Sequence, residues 1–134
     1  QAESGKGFNA NYLINPDIAT VGTNILTIDL DGNNVISTTG SSAATAIVAG
    51  VCALLLQWAV TDKNDLAINS TKIRSLLIYA AKRKGNFIYP NEENGYGDMD
   101  LDEVFNIIAG NYRISDNEYD EYHINNLFVR IPKQ

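Results

Sequence analysis

The sequence runs to 134 residues, 45% hydrophobic and 19% charged, an ordinary globular balance with enough apolar side chain to bury the core of one modest domain. Its net charge of -6 comes from acids gathered after Asp62, above all between Asn91 and Glu103 and between Asp116 and Glu121, which read as solvated surface. No basic stripe is present to displace counterions, so the composition argues against nucleic acid as a partner.

Residues Gln1 to Tyr12 are polar, carry Gly5 and Gly7, and read as a loop or the tail of a preceding element. No charged segment followed by an apolar stretch marks a secretory leader there, and a start at Gln1 rather than methionine points to processing or cutting. From Leu13 the pattern turns β-like: Leu13-Ile14, then Asn15 to Ala19, then Asn24 to Ile28 after Gly22. Asp31-Gly32-Asn33-Asn34 is a turn signal, and Val35 to Ser37 forms a short returning strand.

Ser42 to Val60 is apolar on nearly every face, which suits a helix central to a domain or one within a membrane. About eighteen such residues is the lower limit for crossing a bilayer. The small residues Ala43, Ala44, Ala46, Ala49 and Gly50 favour the central helix, because they let neighbouring strands approach closely. The single cysteine, Cys52, falls inside this segment, so no internal disulfide is possible and buried filler is its expected role.

A second helix follows Asn69 or Ser70 as cap, with Ile73, Leu76, Leu77, Ala80 and Ala81 on one stripe. Lys82, Arg83 and Lys84 are placed to complement its C-terminal dipole before Gly85. A third begins near Asp100 and runs through Leu101, Val104, Phe105, Ile107 and Ile108 to Gly110. Leu127 to Pro132 reads as an extended strand. No acidic cluster has the loop spacing of a calcium site, and neither a metal nor another cofactor is expected.

The chemistry concentrates at Gly40-Ser41-Ser42. A strand, a tight turn with glycine, and a long helix opening on serine would project a hydroxyl beside the unpaired N–H groups of a helix N-terminus. Those donors can hold the oxyanion of a tetrahedral intermediate while the hydroxyl attacks a carbonyl, provided a base takes its proton. Equally, Ser42 taken alone is an ordinary helix N-cap. His123, the single histidine, lies downstream of Ser42 in an acidic, aromatic tail and reads as a surface residue. The order Ser, Asp, His of α/β-hydrolases would need Asp98, Asp100 or Asp102 as the acid. That fold demands more strands than this chain supplies.

Gly40-Ser41-Ser42-Ala43-Ala44-Thr45-Ala46-Ile47-Val48-Ala49-Gly50 resembles the block Gly-Thr-Ser-Met-Ala-x-Pro-His-Val-Ala-Gly around the nucleophile of the subtilisin-like serine proteases, the subtilases. Asn15 to Ile25 resembles that family's Lys-Pro-Asp-Ile-x-Ala-Pro-Gly-x-x-Ile block, and Gly95-Tyr96-Gly97 with Asp100-Leu101 resembles its late Gly-x-Gly turn. The three blocks come in the family's order. Ser41, Ala46 and Val21 depart from the pattern, replacing a threonine and two prolines. Ala46, the stretch Ala53 to Trp58 and the closing Leu-Phe-Val-Arg-Ile-Pro are similar to the clostridial Csp germination proteases.

The resemblance implies an α/β fold: the C-terminal portion of a three-layer domain, with a parallel sheet and a central buried helix carrying the nucleophile. It makes Ser42 the catalytic nucleophile and a backbone oxyanion donor, with Ser41 supporting the oxyanion site. Subtilases order their triad Asp, His, Ser, with an oxyanion asparagine between His and Ser. The residues before Ser42 hold no histidine and no such asparagine block. Residues 1–134 are therefore expected to be the C-terminal segment of a catalytic domain whose other groups sit in an N-terminal piece, itself the partner of this chain together with a prosegment. The implied activity is a serine endopeptidase with a protein substrate and no membrane partner. Csp membership would place it at the spore or outside the cell, activating a spore-cortex hydrolase proenzyme. A noncatalytic binding or sensing module on the same scaffold is the alternative.

Overall fold

The computed structural model describes residues 4–8, 13–63, 66–115, 118–124 and 127–133. They form two compact units, Gln1–Met99 and Asp100–Gln134.

In the first unit, β1 (Gly7–Phe8) pairs antiparallel with β2 (Ile14–Asn15), so part of the segment expected to be loop is a short strand. The β-branched and leucine run at β3 (Ile25–Ile28) pairs antiparallel with β4 (Val35–Thr38), with Ile25 opposite Thr38 and Ile28 opposite Val35. Their turn is closed by Asp29, whose carboxylate accepts from the Asn34 side chain at 2.7 Å and the Asn33 amide at 3.0 Å. The Asn34 hydrogen bond is the main reason its pKa lies below that of an ordinary aspartate.

Next comes α1 (Ser41–Gln57), extended by a π-helical stretch, Trp58–Asp62. Val51, Leu55 and Ala59 are its buried residues, spaced by four on one stripe. The second helix, α2 (Ser70–Ala80), starts at the expected cap: the Asn69 side chain accepts from the Lys72 amide at 3.0 Å. It buries Ile73, Leu77 and Ala80, and this stripe with that of α1 makes the core of the unit. The helix ends at Ala80, before the basic run, so Lys82 to Lys84 are not in its last turn. The reason is a competing backbone pairing: Lys82 exchanges both hydrogen bonds with Asp98, at 2.8 and 3.0 Å.

In the second unit, α3 (Leu101–Ile108) is capped by Asp100, whose side chain accepts from the Glu103 amide at 3.1 Å. Val104 is fully buried, and Gly110 takes φ 84 just beyond the helix. A three-stranded antiparallel meander follows, β5 (Tyr112–Ser115), β6 (Tyr119–Ile124) and β7 (Leu127–Pro132), in that order. The strand at 127–132 was expected; β5 and β6 were not. Residues 119 to 121 of the acidic run expected to be solvated surface are half-buried, as is His123. Cross-strand partners hold their charges: Asp120 accepts from the Ser115 hydroxyl at 2.6 Å, and Arg130 lies 4.0 Å over the Tyr119 ring.

The class is α/β, as expected, with two differences in detail. Among the described residues the named strands pair antiparallel, and the one parallel pairing is the isolated bridge of Ala19 with Asp98. Nor does this chain bury α1: Leu54 is 63% and Leu56 41% exposed. A parallel sheet needs crossover connections, whereas these strands are joined by short hairpins. Within the chain, α2 and the segment before β3 reach only part of the α1 surface.

Candidate active site

The first two sequence blocks and the Gly95-Tyr96-Gly97 turn of the third meet in the first unit. Gly95, at φ 59, lies against the Pro16–Asp17 backbone so closely that a Cβ there would stand 2.1 Å from the Pro16 carbonyl oxygen. The Tyr96 amide donates to the Asp17 carbonyl at 2.8 Å, the Ala19 amide to Gly97 at 2.9 Å, and the Met99 amide to Ala19 at 2.7 Å. Three residues beyond Ala19, the Gly22 carbonyl accepts from the Gly40 amide at 2.8 Å.

Gly40 is the N-cap of α1, with φ 159 and ψ 166 and no side chain capping the helix. The first helical bond of the turn runs from the Ala44 amide to the Gly40 carbonyl at 3.3 Å. The amides of Ser42 and Ala43 therefore precede the ladder and point out of the helix N-terminus. Ser42 is the second residue of the helix and not its cap, which removes the ordinary explanation for a serine here. Its side chain is exposed, and among the described residues its hydroxyl has no hydrogen-bond partner. A Cβ on Gly40 would lie 3.4 Å from Ser42 Oγ, so the glycine leaves clear space beside that oxygen. Ser41, also exposed, opens the helix, and its carbonyl accepts from Thr45 Oγ1 at 2.8 Å.

Beside this turn runs an open groove of about 940 Å³ between α1, α2 and residues 16–23. Its α1 wall includes Ser41, Ala44, Val48 and Cys52, and its α2 wall includes Ile73 and Arg74. Small and apolar side chains at every turn of α1 give that wall its shape. Ser42 does not line the groove; Ser41 stands at its lip. Across it, Arg74 grips Asp17 with both arms of its guanidinium, Nε reaching Oδ2 at 2.8 Å and the terminal nitrogen reaching Oδ1. The Arg74 hydrogen bond holds the Asp17 carboxyl below the usual aspartate range, against a smaller opposing effect of burial.

Of the residues that a Ser, Asp, His order would need, Asp102 lies in the first turn of α3 and the others are engaged elsewhere. His123 Nε2 lies 2.7 Å from Glu121 Oε1, two residues away on the same strand of the second unit. Asp98 is paired with Lys84 Nζ at 2.9 Å, and Asp100 caps α3. Sequence inspection places Gly22 as a turn residue within the Asn15 to Ile25 block but misses its bond to Gly40, and misses Arg74. Arg74 carries a visible signal, a long cation immediately beside the apolar stripe of α2.

The family model of the subtilases, peptidase family S8, matches residues 2–97, a span that holds Gly22, Ser42, Arg74 and Gly95. The chain belongs to the subtilase family. Among solved structures it is similar to the CspB protease of Clostridium perfringens, with 34% identity, a TM-score of 0.68 and 75% of this chain covered. The match covers 21% of the CspB chain, so this chain spans about a fifth of the length of that protease. No curated protein matches. Membership also bears on α1 and its extension, Ser41–Asp62, which with a mean hydropathy of 2.0 is long and apolar enough to cross a membrane. That helix lies inside the family match.

Proposed function

We propose that this chain supplies the nucleophile, Ser42, of a serine endopeptidase, and that residues 1–134 are the C-terminal segment of its catalytic domain. The observation that carries the reading is the Ser42 hydroxyl, exposed and unpartnered in the first turn of α1, in a position that helix capping does not explain. A neighbouring piece of the protease would bring the aspartate, the histidine and the oxyanion asparagine.

In the assembled site the histidine takes the Ser42 proton as Oγ attacks the scissile carbonyl carbon. The oxyanion is held by the Ser42 amide and the asparagine, with the Ser41 hydroxyl in support. Collapse expels the amine, protonated by the same histidine, and leaves an acyl ester on Ser42 that water hydrolyses. Separated from that piece, this chain has neither the base nor the oxyanion asparagine, and such a donor alone is worth about 10²–10³ in rate. The resemblance to the Csp germination proteases extends the proposal to a prosegment-bearing enzyme whose protein substrate is the proenzyme of a spore-cortex hydrolase.

Labelling of the assembled protein with a fluorophosphonate, followed by peptide mapping, tests the proposal. The expected result is one adduct on the peptide holding Ser42, absent in Ser42→Ala. An assembled protein that takes up no label would instead be a noncatalytic binding or sensing module on the protease scaffold.

A further inference from the structure

We infer that Arg74 and Asp17 are positioning residues for Ser42, acting through the backbone of residues 17–22. The inference rests on Ser42 being the nucleophile.

Two links tie this segment to the helices. At one end the Asp17 carboxylate takes the two-pronged grip of Arg74, a residue of α2 that lies 57 positions away in sequence. At the other, the Gly22 carbonyl takes the amide of Gly40, two residues before Ser42. Between them the backbone is laced to the 95–99 turn at Asp17 and Ala19. Thr20 and Val21 are the only residues between Ala19 and Gly22.

The Gly22 end has little slack. A Cβ at Gly22 would stand 2.8 Å from the Gly40 carbonyl oxygen and 3.1 Å from Ala44 Cβ, so the bare α-carbon is already packed onto the first turn of α1. Movement of the segment toward α1 meets backbone, and movement away from it stretches the Gly22–Gly40 hydrogen bond. Either displacement moves Gly40, the N-cap of α1 two residues before Ser42.

Stability alone explains the ion pair poorly. The Arg74 and Asp17 side chains are 59% and 38% exposed, and pairs in such surroundings contribute little to folding. What a planar fork on a carboxylate supplies is geometry: two parallel hydrogen bonds fix orientation as well as distance. Reaction rates respond to small displacements of a nucleophile far more steeply than folding does.

The test is the kinetics of fluorophosphonate inactivation of the full assembled protease, resolved into the maximal inactivation rate and the reagent's binding constant, beside thermal melts. Arg74→Met is expected to slow the maximal rate about tenfold while the binding constant stays within about twofold and the melting temperature changes little. Arg74→Lys, which keeps the charge but not the fork, should recover part of the loss. Asp17→Asn combined with Arg74→Met should cost no more than the worse single change, since the two residues act as one unit. Variants that melt earlier but inactivate at the wild-type rate would mark an ordinary structural ion pair and overturn the inference. A wild-type protease that takes no label would remove the nucleophile itself and this inference with it, a failure distinct from the first.

Discussion

The α-carbon of Gly95 rests on the carbonyl oxygen of Pro16, with room for hydrogen but not for carbon: a Cβ would sit 2.1 Å from that oxygen and 2.3 Å from the Asp17 oxygen. Because Gly95 also holds φ 59, two separate demands fall on one residue. Gly95→Ala should therefore cost about 3 kcal/mol or more, combining left-handed backbone strain with an overlap that only backbone movement can relieve. A thermal or denaturant melt of the assembled protein measures it, and an unchanged midpoint would refute the packing described.

Gly22→Ala should be milder for folding and severe for reactivity. Its Cβ would meet the Gly40 carbonyl at 2.8 Å and Ala44 Cβ at 3.1 Å, an overpacking of the kind that costs about 1–3 kcal/mol. The relief available is displacement of Gly40, so fluorophosphonate labelling of Ser42 should fall more than the melting temperature suggests. Equal labelling of the folded variant and the wild type would sink this expectation.

The cap of α2 makes a cleaner stability probe, remote from the nucleophile. Asn69→Ala removes the acceptor for the Lys72 amide and should destabilise by about 1 kcal/mol, whereas Asn69→Asp keeps an acceptor and should retain most of the stability. Urea midpoints at constant slope would distinguish the two.

Acid should weaken the fold slightly through Asp17 and Glu93, whose ion pairs are exposed. The carboxyl of Asp17 is held low by Arg74 and that of Glu93 by Lys6, each chiefly through a side-chain hydrogen bond. A carboxyl whose folded pKa lies below its unfolded value contributes stability that is complete above the unfolded value, about 4, and drains away as pH falls toward the folded one. Melting temperature should therefore drop as pH is lowered through about 4, with a shallower drop in Arg74→Met. Parallel curves for the two proteins would rule out a contribution from the Asp17 pair.

Local rules made much of this arrangement legible in the sequence. The Asn69 and Asp100 caps, the β3–β4 turn and the stripes of α2 and α3 are set by residues close together in the chain, so their signals survive without knowledge of the rest of the fold. Charge obscured β5 and β6: the acids of Asp116 to Glu121 suggested surface, although Tyr119, Glu121 and His123 alternate with Asp120, Tyr122 and Ile124 as strand faces do. The end of α2 was misjudged because pairing with Asp98 arrives from 16 residues downstream, beyond any local signal. The position of Ser42 within the helix depended likewise on Gly22, whose carbonyl fixes where the first turn begins.

The groove beside Ser41 includes Cys52 in its wall, and the chain has no other cysteine. On the proposed reading of this chain as one piece of a protease, Cys52 is a built-in gauge of assembly. A thiol reagent should modify Cys52 readily in the separated chain and slowly once other polypeptide covers that wall, so the ratio of the two rates reports how completely the groove is covered.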